Sequence, residues 1–247
     1  MKMDIDSFLE LVKSRRSVRR FKTDDVPEDA IGKMLEAARW AMSGANAQPW
    51  EFVVVRDKVL RERIIKSWLE PHREVWTIEQ TRVPELRLTP LKGEFDTVPP
   101  WKKAPVMIMV LGDRRTYQAT VLAAHFLGGE GGTDATYLKN MGNATLLMHL
   151  AAASQGLGSM WLSVSRVWGQ EIKKILDIPE MLDLHTIVCV GYPAYTPQAP
   201  YRRALSDIVH YDKYDQSRYR SAEQIQEFLH ALRGHTESAY RQGFLEK

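Results

Sequence analysis

The 247-residue sequence is poor in the features that mark several classes of protein. It contains one cysteine, Cys189, which excludes an intrachain disulfide and a thiolate metal cluster and fits a reducing compartment. None of the seven histidines has the spacing of a metal-ligand motif, so we expect no metal site. The N-terminus, MKMDIDSFLE, lacks the apolar core of a signal peptide, and we expect a cytoplasmic protein.

Neither the charge nor the apolar stretches favour a nucleic-acid or membrane partner. Lys and Arg number 34 against 31 for Asp and Glu, so the net charge is only +3, which is small for a nucleic-acid-binding protein. The stretch Met141–Ser165 has no acidic or basic residue, but the sequence QGLG at 155–158 interrupts it. We therefore expect a buried helix followed by a strand, and no membrane span.

The hydrophobic spacing predicts helices and strands in a single α+β domain with a C-terminal extension. Asp6 should cap a first helix, and Pro27 should begin a second whose apolar face runs from Ile31 to Met42. The predicted strands are Phe52–Val55, Val106–Leu111, Gly158–Val164 and Thr186–Val190. The further predicted helices are Leu60–Leu69, Tyr117–Leu127, Ala135–Gln155, a segment near Glu171–Leu176, and Ala222–Leu232. Residues 81–103, which contain four prolines, should form an irregular loop or lid.

A basic segment near the N-terminus has residue types that suit a phosphate group. Six of the ten residues from Lys13 to Lys22 are basic, and the run lies where the first predicted helix ends. Arginine presents planar forks that match phosphate oxygens, and Ser17 adds a hydroxyl donor. Alone, the run could equally be a solvated basic turn or a nucleic-acid-binding arm.

A second segment, SGANAQPW at 43–50, suits a planar ligand. Its small residues allow close approach to the backbone, and Asn46 and Gln48 offer amide donors and acceptors for a heteroaromatic edge. Taken by itself, the segment could be an ordinary loop between a helix and a strand.

Together these segments resemble the nitroreductase family of FMN-dependent oxidoreductases. RRSVRRF is followed about twenty-five residues later by SGANAQPW and a strand, then by GLGS at 156–159, GYP at 191–193 and RRAL at 202–205. The resemblance covers roughly residues 7–210. It implies an α+β three-layer sandwich with a central mixed or antiparallel sheet, assembled as an entwined homodimer. It also implies an FMN-binding domain over residues 1–210, with a lid insertion at about residues 66–103, and an extension at 211–247 that could wrap around the partner subunit.

The resemblance assigns cofactor contacts to individual residues. Three residues would hold the phosphate and ribityl chain of FMN: Arg15, Arg16 and Ser17. Arg202 or Arg203 would also reach the phosphate, and Arg19 would lie near the N1–C2 carbonyl edge of the flavin. Three residues would contact the flavin from the second subunit: Ser43, Gly44 and Asn46. The segment facing flavin N5 would be Trp161, Leu162 and Ser163, with Ser163 as the candidate donor to N5.

The implied reaction is ping-pong hydride transfer, in which NAD(P)H reduces FMN and FMN reduces a nitroaromatic, quinone or similar electron-poor ring. Candidate acceptor contacts are Ala45, Trp76 and Trp101. The deiodinase branch shares RRSVR and SGA, but His72, Trp76 and about Thr97 replace its lid Glu, Tyr and Lys, so a halotyrosine substrate is not expected. Two alternatives stay open: a specialised flavin reaction such as reductive dehalogenation, and a non-catalytic anion- or nucleic-acid-binding module.

Overall fold

An antiparallel sheet lies at the centre of residues 1–196, the first of two units into which the chain divides. A computed structural model describes residues 4–83, 99–116 and 132–232, and within them the sheet has four strands. These are β1 (Trp50–Val55), β2 (Val106–Gly112), β3 (Gly158–Ser163) and β4 (Asp183–Gly191), in the order β1-β2-β4-β3. All four predicted strands are confirmed to within three residues at their ends.

Helices cover both faces of this sheet. Within its described residues, the first unit has five α-helices of ten residues or more: α1 (Ile5–Ser14), α2 (Glu28–Arg39), α3 (Lys58–Gln80), α4 (Gly132–Ser154) and α5 (Arg166–Ile175). Strand β2 divides the core because successive side chains of a strand point to opposite faces. Ile108 packs with α2 and α4, whereas Met109 packs with α3 and α5. The predicted α+β three-layer sandwich is therefore confirmed, with a wholly antiparallel sheet in the described residues.

Two helix ends differ from the prediction. Asp4, not Asp6, caps α1, since its carboxylate accepts hydrogen bonds from the backbone N–H groups of Asp6 and Ser7. Helix α2 ends at Arg39, so Met42 lies in the next loop with 79% of its surface exposed. The helical spacing of apolar residues in the sequence therefore continues about one turn past the end of α2.

Helix α3 is longer than predicted and passes through Pro71. A proline inside a helix removes one backbone donor and usually marks an end. Here the flanking turn is held by His72, whose Nδ1 donates to the Trp68 carbonyl at 2.7 Å and whose ring stacks on Trp68 at 3.7 Å. The predicted helix at 117–127 lies outside the described residues.

The second unit spans residues 197–247 and contains the predicted C-terminal helix, α6 (residues 222–232). Within this unit the rings of Tyr201 and Phe228 lie 6.0 Å apart, and the guanidinium of Arg220 lies 5.1 Å from the Phe228 ring centre. The proposed limit of an FMN-binding domain at residue 210 stays a prediction. In the described part of the chain, no helix has the length and apolarity needed to cross a bilayer.

Gly112, at the end of β2, should not tolerate a side chain. A Cβ atom there would lie 2.1 Å from the hydroxyl oxygen of Tyr137 and 3.0 Å from His185 Nε2. Tyr137 is 1% exposed and donates to Asp183 Oδ2 at 3.2 Å, so its ring cannot move away without losing this bond. We expect Gly112→Ala to lower the free energy of unfolding by about 1–3 kcal/mol, measured by urea denaturation.

Gly32→Ala is the matched control, because no described atom lies within 4 Å of a Cβ at that position in α2. It should leave stability unchanged or raise it by up to about 1 kcal/mol, since alanine favours a helix interior. Equal stability of Gly112→Ala and the wild type would show that the Tyr137 contact is not restrictive.

Candidate cofactor site

The basic segment between α1 and α2 is fixed to the sheet by its backbone. Ser17 pairs with Ser159 in a parallel bridge, and the Val18 N–H donates to the Ser159 carbonyl at 3.0 Å. Further along, the Lys22 N–H donates to the Tyr192 carbonyl at 2.9 Å. A Cβ on Gly158 would lie within 2.9 Å of the Val18 side chain, so glycine is needed for this close approach. The segment therefore runs beside β3 and the end of β4.

This backbone path separates the apolar from the polar side chains of the segment. Val18 and Phe21 are buried in the core, at 3% and 2% exposure. The residues that we call the arginine corner, Arg15, Arg16, Ser17 and Arg19, are exposed or half-buried. Arg16 Nη1 donates to the backbone carbonyls of Lys13 and Arg15. The anchoring of Val18 and Phe21 thus fixes the backbone position of a segment whose polar residues stay at least partly exposed.

Strand β3 places Trp161 beside this corner. Trp161 is 44% exposed, and its neighbour Leu162 is 8% exposed within the core. The Leu162 carbonyl accepts from Thr186 Oγ1 at 2.9 Å, and Ser163 is exposed at the end of the strand. Of the three residues expected to face N5, the structure therefore presents Trp161 and Ser163 outward and turns the Leu162 side chain inward.

His149 of α4 lies beneath the junction of the corner and β3. Its Nδ1 is 2.7 Å from Ser159 Oγ, and its ring lies 6.1 Å from that of Trp161 at an angle of 26°. Burial and, to a lesser degree, the positive charge of Arg15 together lower the pKa of His149 to about 4. The imidazole is therefore neutral at pH 7. Arg15, Ser159 and Trp161 all interact with this ring, so they lie in one region.

The SGANAQPW segment forms a strained loop on the same helix. Residues 44–46 make a 3-10 turn in which Ala45 and Asn46 both have φ of 52°, and Gln48 follows with φ of 45°. Such left-handed conformations are unfavourable for residues other than glycine and persist only where surrounding contacts hold them. Here the Gln48 N–H donates to Ser43 Oγ at 3.0 Å, and the Gly44 N–H donates to Asn140 Oδ1 at 3.2 Å.

The loop and the corner are anchored at different positions along α4. The loop is tied to Asn140 and the corner to His149, nine residues apart on α4. Nine residues of α-helix span about 14 Å along the axis. The two motifs therefore lie at different levels of the same helix.

The remaining predicted site residues have local contacts of their own. Arg202 and Arg203 belong to the second unit, where they donate to the carbonyls of Tyr201 at 2.8 Å and Asp207 at 2.6 Å. Trp76 is half-buried in α3. Trp101 is 1% exposed and packs edge-on against Trp68 at 5.8 Å. Because its ring is enclosed in the core, we do not retain Trp101 as an acceptor contact. Thr97 lies outside the described residues.

The sequence did not indicate Asn140 or Ser159 as parts of the site. Both are buried, at 3% exposure. Asn140 is a polar residue in a helix with an otherwise largely apolar buried side, which is the signal that could have identified it. The hydrogen-bonding roles of both depend on contacts between segments that are far apart in the sequence.

Comparison with known proteins identifies the family. The model of the nitroreductase family matches residues 12–192, most of the chain. The chain belongs to the nitroreductase family. It is 30% identical over 200 residues to a protein of Methanothermobacter thermautotrophicus named "Putative NADH dehydrogenase/NAD(P)H nitroreductase", covering 79% of this chain and 81% of that protein. It is 28% identical over 218 residues to iodotyrosine deiodinase 1 of Mus musculus, covering 85% and 70% of the two chains.

A solved structure of this family contains the expected cofactor. The crystal structure of oxidized iodotyrosine deiodinase bound to FMN and 3-iodo-L-tyrosine has a TM-score of 0.64 and 26% identity, covering 83% of this chain and 99% of that one. Family and fold therefore agree with the sequence-based expectation of an FMN-type oxidoreductase.

The pKa of His149 should make stability depend on pH. In the unfolded chain, His149 becomes protonated as the pH falls below the ordinary histidine pKa of 6.5. In the folded chain it becomes protonated only near pH 4. The free energy of unfolding should therefore fall as pH drops through this range, by up to about 1.4 kcal/mol per pH unit from this group. Urea denaturation at several pH values between 4.5 and 7.5 measures the slope.

His149→Asn should flatten this slope, because an amide can replace the bond to Ser159 Oγ but does not titrate. The exposed His230, replaced by asparagine, is the matched control and should leave the slope unchanged. The same slope in His149→Asn and the wild type would contradict the assignment.

Proposed function

We propose that the protein is an FMN-dependent oxidoreductase that takes hydride from NAD(P)H and reduces electron-poor aromatic acceptors such as nitroaromatics or quinones. The observation that carries this proposal is the Ser17–Ser159 bridge, which places a cluster of cationic and hydroxyl donors beside the exposed face of β3. The reductant is supported by the name of the M. thermautotrophicus relative, and the cofactor by the FMN-bound deiodinase structure.

The residues at the site fit a flavin mononucleotide. Arg15, Arg16 and Ser17 supply the charge-assisted donors that a phosphate dianion accepts. Among the described residues, Asn140 Nδ2 and His149 Nε2 are buried polar atoms without a hydrogen-bond partner. Leaving such atoms unpaired is costly, and here they are available to a further donor or acceptor, such as a bound flavin or a second subunit. Trp161 provides an exposed ring beside the corner.

When bound, FMN would supply the hydride-transfer chemistry of the reaction. The protein residues bind the cofactor and adjust its charge. Arg19 is proposed to lie near the N1–C2 edge, where a fixed cation stabilises negative charge on the reduced ring. Ser163, exposed at the end of β3, is proposed as a hydroxyl donor to N5. No side-chain acid or base is required by this scheme.

The proposed assembly is a homodimer. Helix α1 has an apolar side but no buried residue in the single chain, with Ile5 at 63% exposure and Phe8 at 38%. Helix α4 exposes Leu138 and Leu146, each at 51%. Exposed apolar surface of this kind is typical of an interface. If α4 packs against its copy antiparallel about a two-fold axis, the Asn140 level of one subunit meets the His149 level of the other.

This arrangement would bring Ser43, Gly44 and Asn46 of one subunit to the arginine corner of the other. Ala45 and Trp76 remain proposed acceptor contacts, and Arg202 or Arg203 a proposed phosphate contact. The extension at 211–247 is proposed to wrap around the partner. The single, buried Cys189 supports a reducing, cytoplasmic location.

Reductive dehalogenation is the second candidate, favoured by the mouse deiodinase relative. This chain differs from the deiodinase branch at the lid position of His72. The His72 ring stacks on Trp68 and donates a hydrogen bond to the Trp68 carbonyl of its own helix. A neutral imidazole engaged in this way does not replace a carboxylate that binds a substrate ammonium group. We therefore favour acceptors without an amino-acid group.

The reaction can be tested by colour. The purified protein should be yellow, bleach anaerobically with NADH or NADPH, and recolour with menadione or a nitroarene. Arg15→Ala combined with Ser17→Ala should weaken FMN binding at least about tenfold, since each charge-assisted bond contributes about 1.5–3 kcal/mol. Fluorescence titration of the apoprotein with FMN gives the affinity.

Lys33→Ala is the control, because Lys33 is an exposed residue of α2 paired with Asp29. It should leave FMN affinity unchanged. A colourless protein that retards an oligonucleotide at low salt would contradict the proposal in favour of a binding module. Recolouring by 3-iodotyrosine, but not by menadione or nitroarenes, would favour the dehalogenase.

The dimer should depend on the apolar side of α4. Leu138→Glu combined with Leu146→Glu introduces charges that a buried interface cannot solvate, so we expect a monomer by light scattering that has lost FMN. Val59→Glu, at a position of α3 that is 63% exposed, should remain dimeric and yellow. A wild-type monomer that binds FMN stoichiometrically would contradict the shared site.

A further inference from the structure

The strained loop at 43–48 depends on a contact from outside itself. Two consecutive residues with φ of 52° cost of order 1 kcal/mol each or more, relative to ordinary backbone. The hydrogen bonds from Gln48 to Ser43 Oγ and to the Asn46 carbonyl lie within the loop. They shape the turn but do not fix its position on the protein.

Asn140 supplies the external contact. Its Oδ1 accepts from the Gly44 N–H at 3.2 Å, directly before the two strained residues. Asn143, one turn further along α4, reaches the Met42 carbonyl at 3.1 Å, which lies before the turn. Asn140 is 3% exposed, so its bond to Gly44 is shielded from water, whereas the Asn143 bond is exposed.

Helix packing alone does not explain an asparagine at this position. The surrounding cluster is apolar and includes Tyr137, Met141 and Ala144 of the same helix. Among the described residues, Asn140 Nδ2 has no hydrogen-bond partner. A buried amide with one unsatisfied half costs stability that an apolar residue would not. The hydrogen bond that the Asn140 side chain does make is the one from the Gly44 N–H, which indicates that Asn140 holds the loop in position.

We propose that Asn140 is a positioning residue for cofactor binding, which holds the Gly44 amide so that Ala45 and Asn46 keep the left-handed conformation presented to the flavin of the partner subunit. This inference rests on the proposed function, and it goes beyond it by assigning FMN affinity to a residue that need not touch FMN. Without the bond to Asn140, the turn can relax to ordinary backbone conformations, and each binding event must restore the strained one.

The experiment compares FMN affinity and thermal stability in the full-length protein and three variants. Asn140→Ala removes the acceptor of the Gly44 N–H. Asn140→Asp keeps an acceptor oxygen of the same reach. Gln155→Ala is the matched control: it removes a half-buried amide that bonds the Ala30 and Ala151 carbonyls at the opposite end of α4, away from the loop.

We expect Asn140→Ala to weaken FMN binding about tenfold or more, since a lost shielded hydrogen bond corresponds to about 1–3 kcal/mol. Asn140→Asp should bind FMN more tightly than Asn140→Ala, because the acceptor oxygen is kept, although the buried carboxylate lowers stability. Gln155→Ala should lower the melting temperature while FMN affinity stays within about threefold. Rescue by aspartate separates positioning of Gly44 from a general effect on stability.

Three results would overturn the inference while leaving the proposed function intact: wild-type affinity in Asn140→Ala, no rescue by Asn140→Asp, or an equal loss of affinity in Gln155→Ala. A wild-type protein that binds no FMN would overturn the inference and the proposed function together.

Discussion

The candidate site depends on the backbone bridge between Ser17 and Ser159. This bridge joins a loop from the N-terminal part of the chain to the edge strand β3, which is far away in the sequence. Because Val18 and Phe21 are buried on either side of Arg19 and Arg20, the backbone of the cationic segment is held in place beside the sheet. Positive charges held this close repel one another, and the proposed anionic ligand would relieve that repulsion.

Helix α4 links the two motifs. It carries His149 under the arginine corner and Asn140 under the strained loop, and it exposes leucines between and beside them. The same helix therefore sets the spacing of the motifs within one subunit and forms part of the surface through which a second subunit could bring them together. In the proposed dimer, the packing of α4 would therefore determine both subunit association and cofactor binding.

The sequence predicted most of the fold because its strands are β-branched or apolar runs bounded by polar turns. It also allowed the arginine corner and the loop to be proposed as site segments, because both are short local motifs. It did not indicate Asn140 and Ser159, whose roles come from contacts across long separations. It placed Trp101 at the acceptor site because the proline-rich segment suggested an open lid, whereas the residue after Pro100 turns into the aromatic cluster of Trp68 and Trp168.

The central claim is that the arginine corner neutralises the phosphate of a mononucleotide. The most direct measurement is the affinity of the apoprotein for FMN and for riboflavin, which has the same ring without the phosphate. We expect FMN to bind about a hundredfold or more tighter, from two or more charge-assisted hydrogen bonds, with the difference shrinking as salt is added. Equal affinities for FMN and riboflavin at low salt would contradict the account.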